Sequence, residues 1–266
     1  MKKVIFVGHR DLYFGAESVM FRIINFLEVN RISKSLIVLP KSKNSGFREQ
    51  LNKAQNEDVK LVNYKLIGGG LFRCLLCLVY NSIALVQLNL YFRKNNADVV
   101  YTNTSVNILG PLLALLLQKP HIWHFHEQPT GGTFKWIPKG LFPLYRYLIT
   151  RENCTIIFIS NTQRRLWEEE LNIKINNSKI IYTPPVELAQ SISPVHQENS
   201  IVNYGFLGSW TLSKNIISLI DAFVRLKLKY PLYLFELTLM GEGEAGVQIR
   251  KTIEEAEIAS SINLLP

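Results

Sequence analysis

Val4-Ile5-Phe6-Val7-Gly8-His9-Arg10-Asp11-Leu12-Tyr13-Phe14-Gly15-Ala16-Glu17-Ser18-Val19 opens on four apolar residues and breaks at a glycine and a polar loop. It then passes through Gly15-Ala16-Glu17 into a stretch where Val19, Ile23, Ile24 and Leu27 recur at helical spacing. A short apolar run ending in glycine reads as a buried strand, and the 3.6-residue period behind it as an amphipathic helix, so the chain begins strand, loop, helix. Similar runs recur at residues 35–39, 59–64, 98–101, 121–126, 155–159 and 179–182, with helix-length segments between most of them. Strands separated by helices pair in parallel, and the helices cover both faces of the sheet. The expected fold class is therefore α/β.

The pattern stops at Pro184-Pro185. With Pro194 and the polar stretch 196–200, this region reads as a linker. A second unit follows: a strand at 203–207 ending in Gly208, a helix at 213–230, a strand at 233–240, a helix at 245–259 and a strand opening at 262–265. The organisation read from sequence is a first domain over 1–185, a linker over 186–200 and a second domain over 201–266. Two helices and fewer than three full strands leave open sheet edges, so the second domain is expected to be truncated or completed by another chain.

Hydrophobic residues make up 47% of the chain and charged residues 19%, with 15 glycines and 11 prolines, which excludes disordered, collagen-like and low-complexity classes. Lys and Arg number 30 against 21 Asp and Glu, a net charge of +9 that calls for a polyanionic partner. Nucleic acid, anionic lipid and a phosphorylated small molecule all fit that charge. Zinc-finger spacing, an RNP-type aromatic motif and a basic helix-turn-helix pattern are all missing, so nucleic acid is set aside. Three scattered cysteines point to a reducing compartment, and the start lacks the h-region and cleavage site of a secretory signal. A cytoplasmic protein is the reading that follows. Residues 71–92 are the most apolar of the chain, but Asn81, Ser82, Gln87 and Asn89 interrupt them and strands flank them, so a buried helix is expected rather than a membrane span. Cys74 and Cys77 then lie inside that helix as packing residues.

In open parallel sheets, ligands bind outside the carboxyl ends of the strands, so the polar residues there are the candidates. One is His9 to Glu17, where Gly15 and Ala16 at a helix start offer backbone N–H groups to an anion, or where Gly15 only makes a turn and Glu17 favours the first helical turn. A second is Thr102 to Ser105, with Asn103 and Thr104 at its centre. In a third, His124 and His126 share one strand face, followed by Glu127. These histidines suit substrate contact by His126, a structural role satisfied by hydrogen bonds, or a metal site completed by Glu127 or His9. Gly208, Ser209 and Lys214 form a fourth, with Lys214 either a point charge for a diphosphate or a solvated surface lysine. Gly241-Glu242-Gly243-Glu244-Ala245-Gly246 matches G-x-G-x-x-G between strand and helix, the pattern of a dinucleotide-dependent oxidoreductase, but its two glutamates oppose a pyrophosphate.

In order along the chain, these ends resemble the family-four retaining glycosyltransferases of GT-B fold, which have two Rossmann-like domains facing across a nucleotide-sugar cleft. Phe14-Gly15-Ala16-Glu17 is similar to the family's glycine-rich turn, and Asp98-Val99-Val100-Tyr101-Thr102-Asn103-Thr104 to its Asp-Val-Val strand. His126-Glu127 resembles its His-Asp or His-Glu, and Ile157-Phe158-Ile159-Ser160 its Ile-x-x-Ser strand end. Phe206-Leu207-Gly208 with Lys214-Asn215 resembles its Gly-Arg and Lys-Gly elements, and Leu239-Met240-Gly241-Glu242-Gly243 its Gly-x-Gly end.

The resemblance implies transfer of a sugar from a nucleoside-diphosphate sugar to a glycan or lipid-linked acceptor in envelope polysaccharide synthesis, with retention and without an obligatory metal or other cofactor. It implies that His126 contacts the donor sugar, that Lys214 neutralises the departing diphosphate, and that Gly15 and Ala16 give room beside it. Ser209 stands in place of the family's phosphate-binding arginine, Asn215 in place of a glycine, and Pro184-Pro185 in place of Asn-Gly. The family's Glu-x7-Glu segment is missing, so this chain alone is expected to be inactive and to bind a nucleotide sugar weakly. A non-catalytic, acceptor-binding half of a two-chain transferase is the alternative. Trp136, Ile137, Lys139, Phe142, Tyr145, Arg146 and Tyr147 mix aromatic and basic residues as interfacial segments do, so docking to an anionic membrane surface at the inner face of the plasma membrane is the expected localisation, beside an ordinary amphipathic helix.

Overall fold

The structure is a computed structural model that describes residues 1–54, 58–67, 71–129, 137–183, 201–256 and 259–265. The chain divides into two units, Met1–Val186 and Glu187–Pro266. Trp136, Pro184-Pro185 and the linker expected over 186–200 lie outside the described residues.

Seven strands build unit 1: β1 (Lys2–Val7), β2 (Ser33–Pro40), β3 (Val59–Val62), β4 (Val99–Asn103), β5 (His121–Phe125), β6 (Cys154–Phe158) and β7 (Ser178–Ile180). Each expected strand of the first domain is present. They form one parallel sheet in the order β3-β2-β1-β4-β5-β6-β7, the two sides being wound outward from β1 and β4. The period of two along β1 assigns its side chains to the two faces. Phe6 packs with Met20 and Ile24 of α1 (Gly15–Val29) and with Phe47 and Leu51 of α2 (Gly46–Lys53). Ile5 and Val7 pack with Ala84, Leu88 and Phe92 of α3 (Leu71–Asn95) and with Leu109 and Leu113 of α4 (Leu109–Leu117). A further core joins Trp123 and Phe125 of β5 to Tyr145 of α5 (Phe142–Thr150) and Trp167 of α6 (Asn161–Leu171).

One expectation needs correcting here. Helix α3 is not buried all round: Cys74, Cys77, Asn81, Ala84, Leu88 and Phe92 make one inward stripe, while the opposite apolar side is exposed. Hydropathy reports how apolar a helix is, not how many of its faces find a partner. Segment Phe72–Asn95 is long and apolar enough to cross a membrane. It is nonetheless tied into the unit at mid-helix, where the Asn81 amide donates to the Lys65 carbonyl at 3.0 Å and accepts from the Lys65 N–H at 2.9 Å. In the aromatic and basic segment after residue 136, Ile137, Phe142 and Tyr145 are buried in the core and the Arg146 Nε donates to the Leu171 carbonyl at 2.7 Å, while Lys139 and Tyr147 are exposed. The buried faces of this segment follow helical spacing, the ordinary amphipathic alternative.

Unit 2 holds β8 (Ile201–Leu207), α7 (Ile216–Lys229), β9 (Leu234–Met240), α8 (Gly246–Glu255) and β10 (Ile262–Leu265). Its parallel sheet runs β10-β9-β8, and its core joins Phe235, Leu237 and Leu239 of β9 to Ile220, Phe223, Ile249 and Ile253 of the two helices.

Candidate functional site

In unit 1 the strand order reverses between β1 and β4, so the loops leaving these neighbours diverge and open a crevice at their carboxyl ends. The residues placed there are held by the sheet itself. Asn103 ends β4, in register with His124 of β5, and His126 follows one residue after β5. His126 Nε2 lies 2.9 Å from Asn103 Oδ1, and Asn103 Nδ2 donates to the Ala16 carbonyl at 3.1 Å. The Ala16 carbonyl only accepts, which fixes the amide orientation, and Oδ1 then requires the proton to sit on His126 Nε2. His126 Nδ1 is left as the acceptor. Burial, then the neighbouring His9, pushes the His126 pKa down to about 4 against the opposing pull of Glu17, so the ring is neutral near pH 7.

His9 Nε2 stands 3.0 Å from Glu17 Oε1, both side chains being buried. Burial works to raise the Glu17 carboxyl, but His9 and the backbone N–H groups of Glu17 and Phe14 outweigh it and hold the group below the usual carboxylate range. Glu17 also accepts from the Phe14 N–H at 3.3 Å, closing the first turn of α1. Gly15 is exposed, and a Cβ there would meet nothing within 4 Å. No internal packing therefore demands a glycine at that turn. His124 Nδ1 is 2.6 Å from the Tyr101 hydroxyl, and its ring lies 4.1 Å from that of His126, centroid to centroid. Burial and then His126 push the His124 pKa down to about 3.

Three buried polar atoms here, His9 Nδ1, His124 Nε2 and Thr104 Oγ1, have no hydrogen-bond partner among the described residues. Buried polar groups without partners are costly and mark where a ligand or water belongs. Thr104 also carries φ of +72°, the left-handed region that a β-branched residue rarely enters. Among the described residues, no three of His, Cys, Asp and Glu converge as a group able to hold a metal ion.

Glu127 and Ser160 also have structural duties. Glu127 Oε2 accepts from the Ser105 N–H at 3.1 Å and from its hydroxyl at 3.0 Å, while the Glu127 carbonyl accepts from Gln163 and Trp167 of α6, both at 3.0 Å. Ser160 caps α6 by accepting from the Gln163 N–H. Glu127→Ala breaks both bonds to the turn after β4 and is expected to cost about 1–3 kcal/mol of stability, read as a lower urea midpoint. An unchanged midpoint would remove Glu127 from this role.

The reading of the sequence gave no role to Arg48, Tyr64, Tyr101 and Asn107, and held Asp11 only as part of the candidate stretch after β1. Asp11 is buried, pairs with the Arg48 guanidinium and accepts from the Arg48 N–H at 3.0 Å, pinning the start of α2 to the β1 loop. The Tyr64 hydroxyl donates to the Gly8 carbonyl, which also accepts from Asn107 Nδ2 at 2.8 Å. The polar run already singled out at the end of β4 continues past it: Thr102, Asn103, Thr104, Ser105 and Asn107 are all buried.

In unit 2, Ser209 and Lys214 are exposed, Lys214 ending a 3-10 turn over Leu212–Lys214. Asn215 has φ of +51°, a left-handed conformation that asparagine tolerates where glycine is the default. The G-x-G spacing has a packing cause. Gly241 has φ of +138°, and a Cβ on it would stand 2.1 Å from the Gly208 carbonyl oxygen. A Cβ on Gly243 would stand 2.4 Å from the Trp210 carbonyl oxygen. The two loops press backbone to backbone, joined by the Trp210 N–H to the Glu242 carbonyl at 2.8 Å.

No protein-family model matches this sequence, and no curated protein matches it. Solved structures do. The lipopolysaccharide outer core galactosyltransferase WaaB matches over 98% of this chain and 67% of its own, with TM-score 0.67 and 12% identity. A glycosyltransferase from Rickettsia africae matches over 99% and 68%, with TM-score 0.68 and 14% identity. TarM of S. aureus, solved with UDP among its ligands, matches over 99% and 77%, with TM-score 0.60 and 12% identity. The fold is GT-B-like. This chain spans about two-thirds to three-quarters of the length of these structures.

Proposed function

We propose that this chain is a nucleoside-diphosphate-sugar-dependent glycosyltransferase, or the part of one carrying the first domain, of the retaining, metal-independent family-four kind. The observation that carries the reading is the His126–Asn103–Ala16 chain of hydrogen bonds at the point where the sheet order reverses. It presents a neutral, half-buried imidazole whose Nδ1 accepts, suited to a sugar hydroxyl. The exposed, sterically open Gly15 beside it lets a substrate approach the backbone at the start of α1. Unit 1 is the acceptor side in this reading. In unit 2, Lys214 supplies a mobile positive charge to the diphosphate, as charge develops on the leaving group. The net charge of +9 agrees with a polyanionic donor. The acceptor is a glycan or lipid-linked sugar and the setting the cytoplasmic side of envelope assembly.

The test is a screen of UDP- and GDP-sugars against this chain with its second domain completed, following sugar transfer and donor hydrolysis. His126→Ala is expected to lower kcat by about 100-fold or more, since an interaction with the reacting sugar is lost in the transition state. Lys214→Ala is expected mainly to raise the donor KM. Turnover that is indifferent to His126, or no binding and no turnover with any donor, overturns the proposal.

A further inference from the structure

Helix α3 carries two faces with different fates. Its inward stripe fixes it to the sheet, while Phe72, Leu75, Val79, Ile83, Val86 and Leu90 lie on the opposite side, each more than half exposed. At 1.5 Å per residue, Phe72 to Leu90 makes a ridge roughly 27 Å long. Monomeric proteins rarely leave a contiguous apolar strip of this kind uncovered.

The surrounding charge selects the partner. Between Leu71 and Asn95 the only charged residues are Arg73, Arg93 and Lys94, all exposed, at the two ends of the helix. One flank adds two more cations held over tyrosine rings of the helix. The Lys65 ammonium lies 4.2 Å from the centre of Tyr80, and that of Lys60 lies 3.4 Å from the centre of Tyr91. The nearby carboxylates are engaged elsewhere: Asp98 accepts from the Lys3 N–H, and Asp58 pairs with Lys34. The spacing Phe72, Leu76, Val79, Ile83, Val86, Leu90 would also suit a helix-to-helix seam. In a pair of identical chains, however, an antiparallel seam sets Arg73 against Arg93 and Lys94, and a parallel seam sets each cation against its own copy. An apolar ridge whose own charged residues are all cations, and whose nearby carboxylates among the described residues are engaged by Lys3 and Lys34, matches acyl chains below and phosphate groups around them, with the long basic side chains reaching the headgroups.

We infer that the outer face of α3 docks this chain onto an anionic lipid bilayer surface, the helix lying in the interface plane and not crossing it. The inference uses unit 1 alone and does not rest on the transferase reading, because vesicle binding and sugar transfer are separate readouts that fail independently.

The test is flotation of the full chain with vesicles of phosphatidylcholine, with and without phosphatidylglycerol. The variants are the double substitution Val79→Glu and Ile83→Glu, and the double substitution Arg93→Glu and Lys94→Glu. All four residues are exposed, so the fold is retained, which circular dichroism checks. Binding is expected only with phosphatidylglycerol, weakened by salt and at least about tenfold weaker for either double variant. Absence of vesicle binding, binding indifferent to phosphatidylglycerol, or binding unchanged in the Val79/Ile83 variant each overturns it. A wild-type dimer in solution that the same variant dissolves, without vesicle binding, would assign the face to a second copy instead.

Discussion

Gly243→Ala is expected to unfold unit 2. The added methyl would stand 2.4 Å from the Trp210 carbonyl oxygen, 2.8 Å from its carbon and 2.9 Å from the Trp210 nitrogen. All three are backbone atoms, so no side-chain rotation relieves the clash. The Trp210 backbone is also held on both sides, its N–H on the Glu242 carbonyl and its carbonyl on the Ala245 N–H at 2.9 Å. Overpacking a core costs about 1–3 kcal/mol where side chains can adjust, and here the cost lies at or beyond the top of that range. The loss falls on a three-stranded unit with a single small core, which has little stability to spare. Gly246→Ala is the control: its methyl would meet the Trp210 ring at an ordinary 3.5 Å, and alanine favours the helix it opens. Hydrogen exchange over residues 201–256 is expected to rise sharply in the first variant and to stay at wild-type level in the second. Equal protection in both would show that the loops are not pressed together as described.

The second large effect is acid lability of unit 1. His121 lies between the Thr102 hydroxyl at 2.8 Å and the Cys154 sulfur at 3.3 Å, and burial, then Arg151, pushes its pKa down to about 3. His124 is likewise held at about 3. Unfolded, each titrates near 6.5. Above that pH both states are neutral and the stability is whole. As the pH falls below it, only the unfolded chain takes up protons, and stability drains away until the folded-state value is reached. At about 1.4 kcal/mol per pH unit, each histidine removes about 2 kcal/mol by pH 5, or about 4 kcal/mol for the pair. A domain stable by about 5–15 kcal/mol feels such a loss strongly. Urea midpoints of the wild type are expected to fall steeply between pH 6.5 and pH 5, while His121→Gln, weaker at pH 7, loses less on acidification. A midpoint that is level across that interval would contradict the burial of these rings.

The seven strands of unit 1 were legible because strands covered on both faces must be apolar along their whole length, and such runs stand out between amphipathic helices. The crevice residues were legible for a related reason. Polar side chains such as His9, Asn103 and His126 are out of place directly after buried strands unless something there needs them. What stayed hidden depends on contacts distant in sequence. The composition of α3 does not record that only one side meets the sheet, nor that of residues 137–147 that Ile137, Phe142 and Tyr145 turn inward. The structural bonds of Glu127 were hidden because its partners, Ser105, Gln163 and Trp167, lie far from it along the chain. The two glycines of the G-x-G pattern carried the signature of a cofactor loop, whereas their spacing answers to the Gly208 and Trp210 backbones.

Asn215 sits in a left-handed turn just before α7, where the family that the chain resembles carries glycine. Its side chain accepts from the Ser218 hydroxyl at 2.9 Å, a local tie that glycine lacks. What the fold requires at this corner is a torsion angle rather than a letter of the alphabet. One tolerant residue can stand for another at such corners with each bend of the main chain left in place, which is how chains only 12–14% identical can share a fold.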